Sequence, residues 1–187
     1  LGLTVIGASA MFTVFTYIAP ILREETHASI GFITAMLVTY GVGLTVGNWL
    51  GGRYADRSVD MTLIVTLAGL SAVLVLFALL MPYAVPTAIL IFLWGIASFA
   101  LVPPLQVRVM ASAADAPNLA SAMNIGAFNL GNAIGAALGG GVIAAGLDYP
   151  AVALAGAAAS ALGLVAVLLV RRKPAEELAP EICGEMC

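Results

Sequence analysis

The chain has 187 residues, of which 62% are hydrophobic and 9% charged, and its formal net charge is -3. A charged share far below the roughly 25% of soluble domains, with a mean hydropathy of +1.09, leaves too few polar side chains for a water-soluble exterior. This composition excludes an ordinary soluble domain, and the negative charge argues against a nucleic-acid partner.

Six apolar runs without Asp, Glu, Lys or Arg follow one another along the chain. They cover residues 4–22, 30–50, 61–81, 86–107, 119–147 and 149–170. Each is long enough to cross a membrane, since a helix needs about 20 residues for a hydrocarbon core of about 30 Å. Helices are expected because backbone amides in lipid must be satisfied within their own segment. The sequence therefore predicts an all-α integral membrane protein, with a six-helix domain over 1–173 and a disordered cytoplasmic tail over 174–187.

The basic residues between the runs predict an orientation. One side of the membrane receives Arg23 alone, and the other receives Arg53, Arg57, Arg108, Arg171, Arg172 and Lys173. Since Lys and Arg accumulate in cytoplasmic loops, residue 1 and the tail are both expected in the cytoplasm, and the inner (plasma) membrane is the expected location. Residue 1 is Leu, and no basic segment with a cleavage site precedes the first run, so we expect a piece of a longer protein.

Polar and aromatic side chains are concentrated in the first, second, fourth and fifth runs. This distribution predicts a water-filled cavity between the corresponding helices. The residues predicted to line it are Thr13, Tyr17, Tyr40, Trp94, Ser98, Asn124, Phe128 and Asn132. Within the first, fourth and fifth runs they recur four residues apart, which places them on one helix face. The third and sixth runs are nearly pure Leu, Val and Ala and are expected to be lipid-facing supports. Two lining helices and one support, twice over, predict a 3+3 repeat. Hydrogen bonding between helices is the alternative explanation for single polar residues.

Glycines and prolines mark three of the runs. The second and fifth runs carry glycines four residues apart: Gly43, Gly47 and Gly51, then Gly131, Gly135 and Gly139. Small residues at this spacing let helix backbones approach closely, which explains them more simply than bending at a gate. Pro103 and Pro104 are expected to end the fourth helix, since proline interrupts the hydrogen-bond ladder.

After the second run the sequence reads Gly52-Arg53-Tyr54-Ala55-Asp56-Arg57. This segment resembles the loop signature of the major facilitator superfamily, roughly G-x-L-A-D-R-x-G-R-R, in the weaker copy found in the second half of such transporters. Val59 and Asp60 depart from the glycine and the base of that pattern. The resemblance implies the C-terminal half of a twelve-helix fold, with a 3+3 inverted repeat and an N-terminal six-helix half missing from this chain. It also implies a cytoplasmic gate loop of Gly52, Asp56 and Arg57, in which Asp56 latches a neighbouring helix end.

Residues 11–20 and 124–132 look like the seventh and eleventh helices of bacterial drug:proton antiporters, and within that group like arabinose-efflux-permease-type exporters. This likeness implies proton-coupled efflux of a small neutral or amphipathic molecule, such as a drug, a sugar or a nucleoside-like compound. The proton is the expected coupling ion, and no other cofactor and no metal is predicted. Because the six runs contain no acidic residue and no histidine, the proton-carrying group is expected in the missing half.

Two other classes of function fit the sequence less well. The alternative is a self-assembling six-helix channel or scaffold joined through the glycine faces, which steady ion conductance would distinguish from saturable exchange. A membrane-embedded hydrolase would need a nucleophile with a base, or paired acids, at membrane depth. The single histidine, His27, lies instead in a loop beside Glu24 and Glu25, so no enzyme is predicted. Cys183 and Cys187 are too few soft ligands for a metal site.

Overall fold

The computed structural model describes residues 1–113 and 115–171, with Arg171 described by its backbone alone. Every regular element in these ranges is an α-helix. The helices are α1 (Gly2–Phe15), α2 (Ile18–Glu24), α3 (Ile30–Ala55), α4 (Val59–Leu80), α5 (Ala84–Ala100), α6 (Val102–Ala111), α7 (Pro117–Ala144) and α8 (Tyr149–Arg171). The predicted tail over 174–187, with both cysteines, lies outside the described residues, as do Arg172 and Lys173.

Within the described ranges, six helical stretches are long and apolar enough to cross a membrane. The first combines α1 with α2 and the fourth combines α5 with α6, while α3, α4, α7 and α8 are single spans. The predicted all-α fold with six membrane-crossing helices is confirmed. The fifth span is shorter than its apolar run, because Gly146 adopts a φ of 77° and its amide bonds to the Ile143 carbonyl at 2.9 Å. A glycine in this left-handed conformation is a common helix terminator.

Two of the six spans are broken, and the breaks lie nearer opposite faces of the bundle. In the first span α1 ends at Phe15, and Pro20 lies in the opening turn of α2. In the fourth span α5 ends at Ala100, and the chain resumes as α6. Both breaks fall in the second part of their span, and the two spans run in opposite directions, so each break lies towards a different face.

Pro103 and Pro104 interrupt the hydrogen-bond ladder of the fourth span as predicted, but the prediction that the helical span ends there was wrong. The interruption comes earlier, at Leu101, and both prolines lie in the first turn of α6, which continues to Ala111. Proline is tolerated there because the first amides of a helix have no intrahelical acceptor.

The packing of the spans follows an inverted repeat. The most extensive contacts are those of α3 with α5, of α1 with α7 and of α4 with α8. If spans one, two and three correspond to spans four, five and six, then α3 corresponds to α7, α5 to α1 and α4 to α8. Under this correspondence the α3–α5 pair becomes the α7–α1 pair, and the α4–α8 pair maps onto itself. Because each repeat has an odd number of alternating spans, the second repeat is inverted relative to the first. The structure thus has the predicted 3+3 organisation.

Glycines make the two equivalent helix pairs possible. A Cβ on Gly43 would lie 2.6 Å from the Phe92 carbonyl oxygen, and one on Gly135 would lie 2.5 Å from the Ser9 carbonyl oxygen. The obstructing atoms are backbone, so a side chain could be accommodated only by separating the helices. The glycine faces therefore serve close packing, α3 against α5 and α1 against α7.

The third and sixth spans form the layer behind these pairs. The Ser160 hydroxyl of α8 donates to the Leu67 carbonyl of α4 at 2.9 Å, and the Ser71 hydroxyl donates to the Ala157 carbonyl at 3.1 Å. The inner face of α4 is fully buried and aliphatic or aromatic, including Leu70 and Leu74. The outer faces of both helices expose Val and Leu side chains, and α4 also exposes Met61. Such an apolar surface is what lipid requires.

Candidate functional site

Six aromatic side chains form a continuous row across the bundle, here called the aromatic bridge. Its members are Phe128 of α7, Phe12 and Phe15 of α1, Tyr40 of α3, Trp94 of α5 and Phe77 of α4. Neighbouring ring centroids lie between 4.6 Å, for Tyr40 and Trp94, and 6.2 Å, for Phe77 and Trp94. These distances are typical of favourable aromatic pairs. The bridge connects the α1–α7 pair to the α3–α5 pair, whose backbones approach each other at few points.

The aromatic bridge is buried at one end and partly open at the other. Trp94 is fully buried and Tyr40 is 6% exposed, whereas Phe12, Phe15 and Phe128 are half-buried. The half-buried rings present an apolar, aromatic surface between the two helix pairs. Flat apolar groups stack favourably on such a surface.

The buried end of the bridge also carries polar atoms. The Tyr40 hydroxyl lies 3.5 Å from the Ser98 hydroxyl oxygen, and both side chains are buried. The indole Nε1 of Trp94 is buried and has no hydrogen-bond acceptor among the described residues. A buried unpaired donor costs about 1–3 kcal/mol. Three predicted lining residues, Tyr40, Trp94 and Ser98, thus lie together, and the unpaired indole donor has no signal in the sequence.

Thr13 and Tyr17, also predicted to line the cavity, lie where α1 meets α7. The Thr13 hydroxyl donates to the Ser9 carbonyl of its own helix at 2.7 Å, and Thr13 is fully buried. The Tyr17 hydroxyl donates to the Ala136 carbonyl of α7 at 2.9 Å. Both hydroxyls therefore have partners within these six spans. Asn132, on the same stretch of α7, is half-buried.

Asn124 belongs to a separate polar chain that links three spans. The Thr4 hydroxyl donates to Asn124 Oδ1 at 2.6 Å, Asn124 Nδ2 donates to Gln106 Oε1 at 2.6 Å, and Gln106 Nε2 donates to the Ser121 hydroxyl at 2.8 Å. We call these four residues the polar chain. Thr4 precedes Phe12 by eight residues, so the polar chain lies roughly 12 Å from the bridge at 1.5 Å per residue.

The polar chain lies towards the membrane face that carries Arg53, Arg57 and Arg108, here called the basic face. An ion pair joins two spans there, with Arg108 Nη1 of α6 donating to Asp60 Oδ1 of α4 at 2.8 Å. Both side chains are partly exposed, and exposed ion pairs contribute only about 0–1 kcal/mol. Asp60, one of the two residues that depart from the loop signature, thus forms an ion pair between α4 and α6. The spacing of the sequence did not predict Arg108 as its partner.

Comparison with known proteins identifies the family. The model of the Major Facilitator Superfamily matches residues 1–183. The chain belongs to the major facilitator superfamily. Its similar relatives include the inner membrane transport protein YdhP of Escherichia coli (strain K12), 52% identical over 173 residues that are 92% of this chain and 44% of the relative. Another is the uncharacterized MFS-type transporter YfhI of Bacillus subtilis (strain 168), 34% identical over 88% of this chain and 41% of the relative.

Membership of the major facilitator superfamily agrees with the six spans and their repeat. The chain spans less than half the length of these curated relatives, which fits one six-helix half of a major facilitator fold. The family is one of membrane transporters, and the six spans of this chain agree with a multi-pass membrane protein. The loop-signature resemblance is thus confirmed at the level of the family.

The structure also locates the predicted gate loop of this major facilitator chain. Gly52 lies in the last turn of α3, which extends beyond the predicted end at residue 50, and Asp56 is the C-cap residue. Arg57 follows in the turn and lies over the Tyr54 ring, with its Cζ 5.9 Å from the centroid. The Asp56 carboxylate is exposed and has no ion-pair or hydrogen-bond partner within residues 1–113 and 115–171. Its role as a latch stays a prediction.

The eight predicted lining residues fall into three groups in this major facilitator half. Tyr40, Trp94, Ser98 and Phe128 belong to or adjoin the aromatic bridge, Thr13 and Tyr17 lie with Asn132 along α1 and α7, and Asn124 joins the polar chain. That they line a substrate cavity stays a prediction. The sequence analysis did not single out Phe12, Phe15 and Phe77 as members of the aromatic bridge. An aromatic residue in an apolar run looks the same in sequence whether it joins such a row of rings or packs in an ordinary core.

Proposed function

We propose that this chain is one half of an inner-membrane carrier that exports a small neutral or amphipathic molecule in exchange for protons. The half-open aromatic bridge carries the proposal. It offers flat apolar contact surface and neutral polar atoms between the two helix pairs, and the spans around it contain no buried base that would favour a strongly anionic substrate. A relative 52% identical to this chain is named as an inner membrane transport protein, which supports the location.

The packing of the glycine faces favours a carrier over a self-assembling channel. Gly47 faces Ile96 and Gly131 faces Val5, in both cases within this chain. These surfaces are therefore occupied and are not available to join one six-helix subunit to another. These contacts therefore support exchange in which the whole six-span half rocks against the remaining part of the carrier.

Proton coupling rests on a group outside the six spans of this chain. No Asp, Glu or His occurs within the apolar runs, and carriers of protons through membranes use such ionisable side chains. We propose that this chain contacts the substrate and forms one of the two halves that move during transport. The remaining length of the carrier would supply the proton-binding group.

Transport in inside-out vesicles tests the proposal. Vesicles containing the protein at its full natural length should accumulate ethidium, uridine or arabinose when the interior is acidic, and nigericin should abolish the accumulation. The accumulation should saturate with substrate concentration. Preference for glycerol 3-phosphate over all three compounds would contradict the proposed substrate class, and non-saturating ion conductance would contradict a carrier.

Variants of the aromatic bridge test its part in the transport. Phe15→Leu removes the ring that stacks on Tyr40, with centroids 5.1 Å apart, and should raise the KM of the transported compound severalfold. Phe99→Leu makes the same change on α5 outside the bridge and serves as the matched control. Equal transport by both variants at equal expression would show that the bridge does not contact the substrate.

A further inference from the structure

An open groove runs along the outside of the bundle between α3, α4 and α5. Its volume is about 530 Å³, within the range of about 300–1,000 Å³ typical of small-molecule sites. It exists because the glycines of α3 hold that helix against α5, while α3 and α4 contact each other little beyond their connection. Gly69 forms part of the wall, and a Cβ there would meet no atom within 4 Å.

The walls of the groove are apolar in its inner part. Val65 and Val73 line it from α4, and Leu93, Ile96 and Ala97 line it from α5. The threonines nearby do not make it polar, because the Thr66 hydroxyl donates to the Thr62 carbonyl of its own helix at 2.7 Å. This part of the groove therefore favours an apolar occupant such as an aliphatic chain.

The outer end of the groove is polar and positively charged. Tyr54, Arg57 and Ser58 line it where α3 ends and α4 begins, at the basic face. Among the described residues Arg57 forms no ion pair, since the ion pair at this face joins Asp60 to Arg108. Asp56 precedes Arg57 but is not part of the groove lining. The guanidinium is thus placed to pair with an anion at the mouth.

The length of the groove matches one leaflet of a bilayer. From Met61 to Val73 along α4 the rise is roughly 18 Å at 1.5 Å per residue, close to half of a hydrocarbon core of about 30 Å. A guanidinium at the membrane surface with an aliphatic channel of leaflet depth beneath it has the charge and shape of a phospholipid site, phosphate above and acyl chain below.

We propose that this groove binds one anionic phospholipid, with its phosphate at Arg57 and an acyl chain between α4 and α5. The site lies outside the aromatic bridge and does not depend on what the carrier transports. Binding there would fill the space between α3 and α4 and brace the connection that carries the family signature.

Lipid retention measured by native mass spectrometry tests the site. The protein at its full natural length, purified in mild detergent, would be titrated with dioleoyl phosphatidylglycerol, dioleoyl phosphatidylcholine or inorganic phosphate. We expect phosphatidylglycerol to be retained about fivefold better than phosphatidylcholine, the factor expected for one basic residue at an anionic surface. Arg57→Gln should reduce this preference to none, and Arg53→Gln, on the last turn of α3 but outside the groove, should preserve it.

The acyl-chain part of the site is tested separately. Gly69→Leu fills the groove and should lower the retention of both lipids, while Ala72→Leu, exposed on α4 and outside the groove lining, should not. If Gly69→Leu fails to fold, Val65→Phe tests the same wall. Equal effects of Arg57→Gln and Arg53→Gln, displacement by inorganic phosphate alone, or cross-linking of a Gly69→Cys variant to another protein segment would each overturn the proposal.

Discussion

Replacing one glycine of α3 with alanine should weaken the bundle, and replacing another should not. A Cβ on Gly47 would lie 2.9 Å from the backbone C and Cα of Ile96 and closer still to its carbonyl oxygen, whereas a Cβ on Gly41 would meet nothing within 4 Å. Both changes gain the same helix propensity, about 0.5–1 kcal/mol. The difference between the two variants therefore isolates the overpacking cost, about 1–3 kcal/mol.

The free energy of unfolding of the purified chain in mixed micelles, titrated with dodecyl sulfate and followed by circular dichroism, measures this difference. Gly47→Ala should unfold at lower denaturant fraction than wild type, and Gly41→Ala at an equal or higher one. Two variants of equal stability would refute the conclusion that backbone contact between α3 and α5 excludes a side chain.

The inverted repeat extends this prediction to the other helix pair. Gly135 of α7 is the counterpart of Gly47, with a Cβ position 2.5 Å from the Ser9 carbonyl oxygen and 2.9 Å from the Thr13 amide nitrogen, and Gly126 is open like Gly41. Gly135→Ala should therefore destabilise the chain relative to Gly126→Ala by a similar amount in the same assay. Destabilisation at only one of the two pairs would contradict their structural equivalence.

Hydrogen bonds between spans give three further predictions in the same unfolding assay. Thr4→Val removes the bond to the Asn124 amide and should cost about 1 kcal/mol, whereas Thr39→Val, whose hydroxyl bonds only within α3, should cost much less. Equal losses would show that the polar chain does not hold the spans together. Ser160→Ala removes the buried bond from α8 to α4 and should cost about 0.6–1.7 kcal/mol, and an unchanged midpoint would contradict this. A double-mutant cycle of Asp60→Asn and Arg108→Gln should give a coupling of about 0.2–1 kcal/mol that falls with added salt, and a salt-independent coupling would contradict a solvent-screened pair.

The spans could be predicted from sequence because one physical cause sets them. Ionised side chains are excluded from hydrocarbon, so the gaps between charges mark the helices whatever packs against them. The glycine spacing in α3 and α7 was equally informative, since close packing of helix backbones is the simplest reason for small residues at every fourth position. Boundaries outside the hydrocarbon were less predictable. α3 continues to Ala55 through Gly51 and Gly52, although glycine favours helices little, and Gly51 is held against the Ala100 backbone of α5.

The contacts of the candidate site could not be predicted, because they depend on which spans become neighbours. Thr4 was not singled out, since its role depends on α1 packing beside α7 and bringing Asn124 within reach. Trp94 was predicted to share a helix face with Ser98, and its ring neighbours Phe15 and Phe77 come from two other spans. Side-chain periodicity gives the face of a helix, and only tertiary packing gives its partner.

The helix breaks lie on either side of the aromatic bridge, and this placement bears on the proposed transport. Phe15 is the last residue of α1, directly before the break that leads to α2. On the fourth span the break at Leu101 separates Trp94 of the bridge from Gln106 of the polar chain. Helices kink where their hydrogen-bond ladder is interrupted, as it is at a proline. On the proposed function, α6 bends at the basic face and α2 bends at the opposite face, and the bending of α6 requires Gln106 to release Asn124 and Ser121 of α7. The rings of the bridge stay in place between the two breaks.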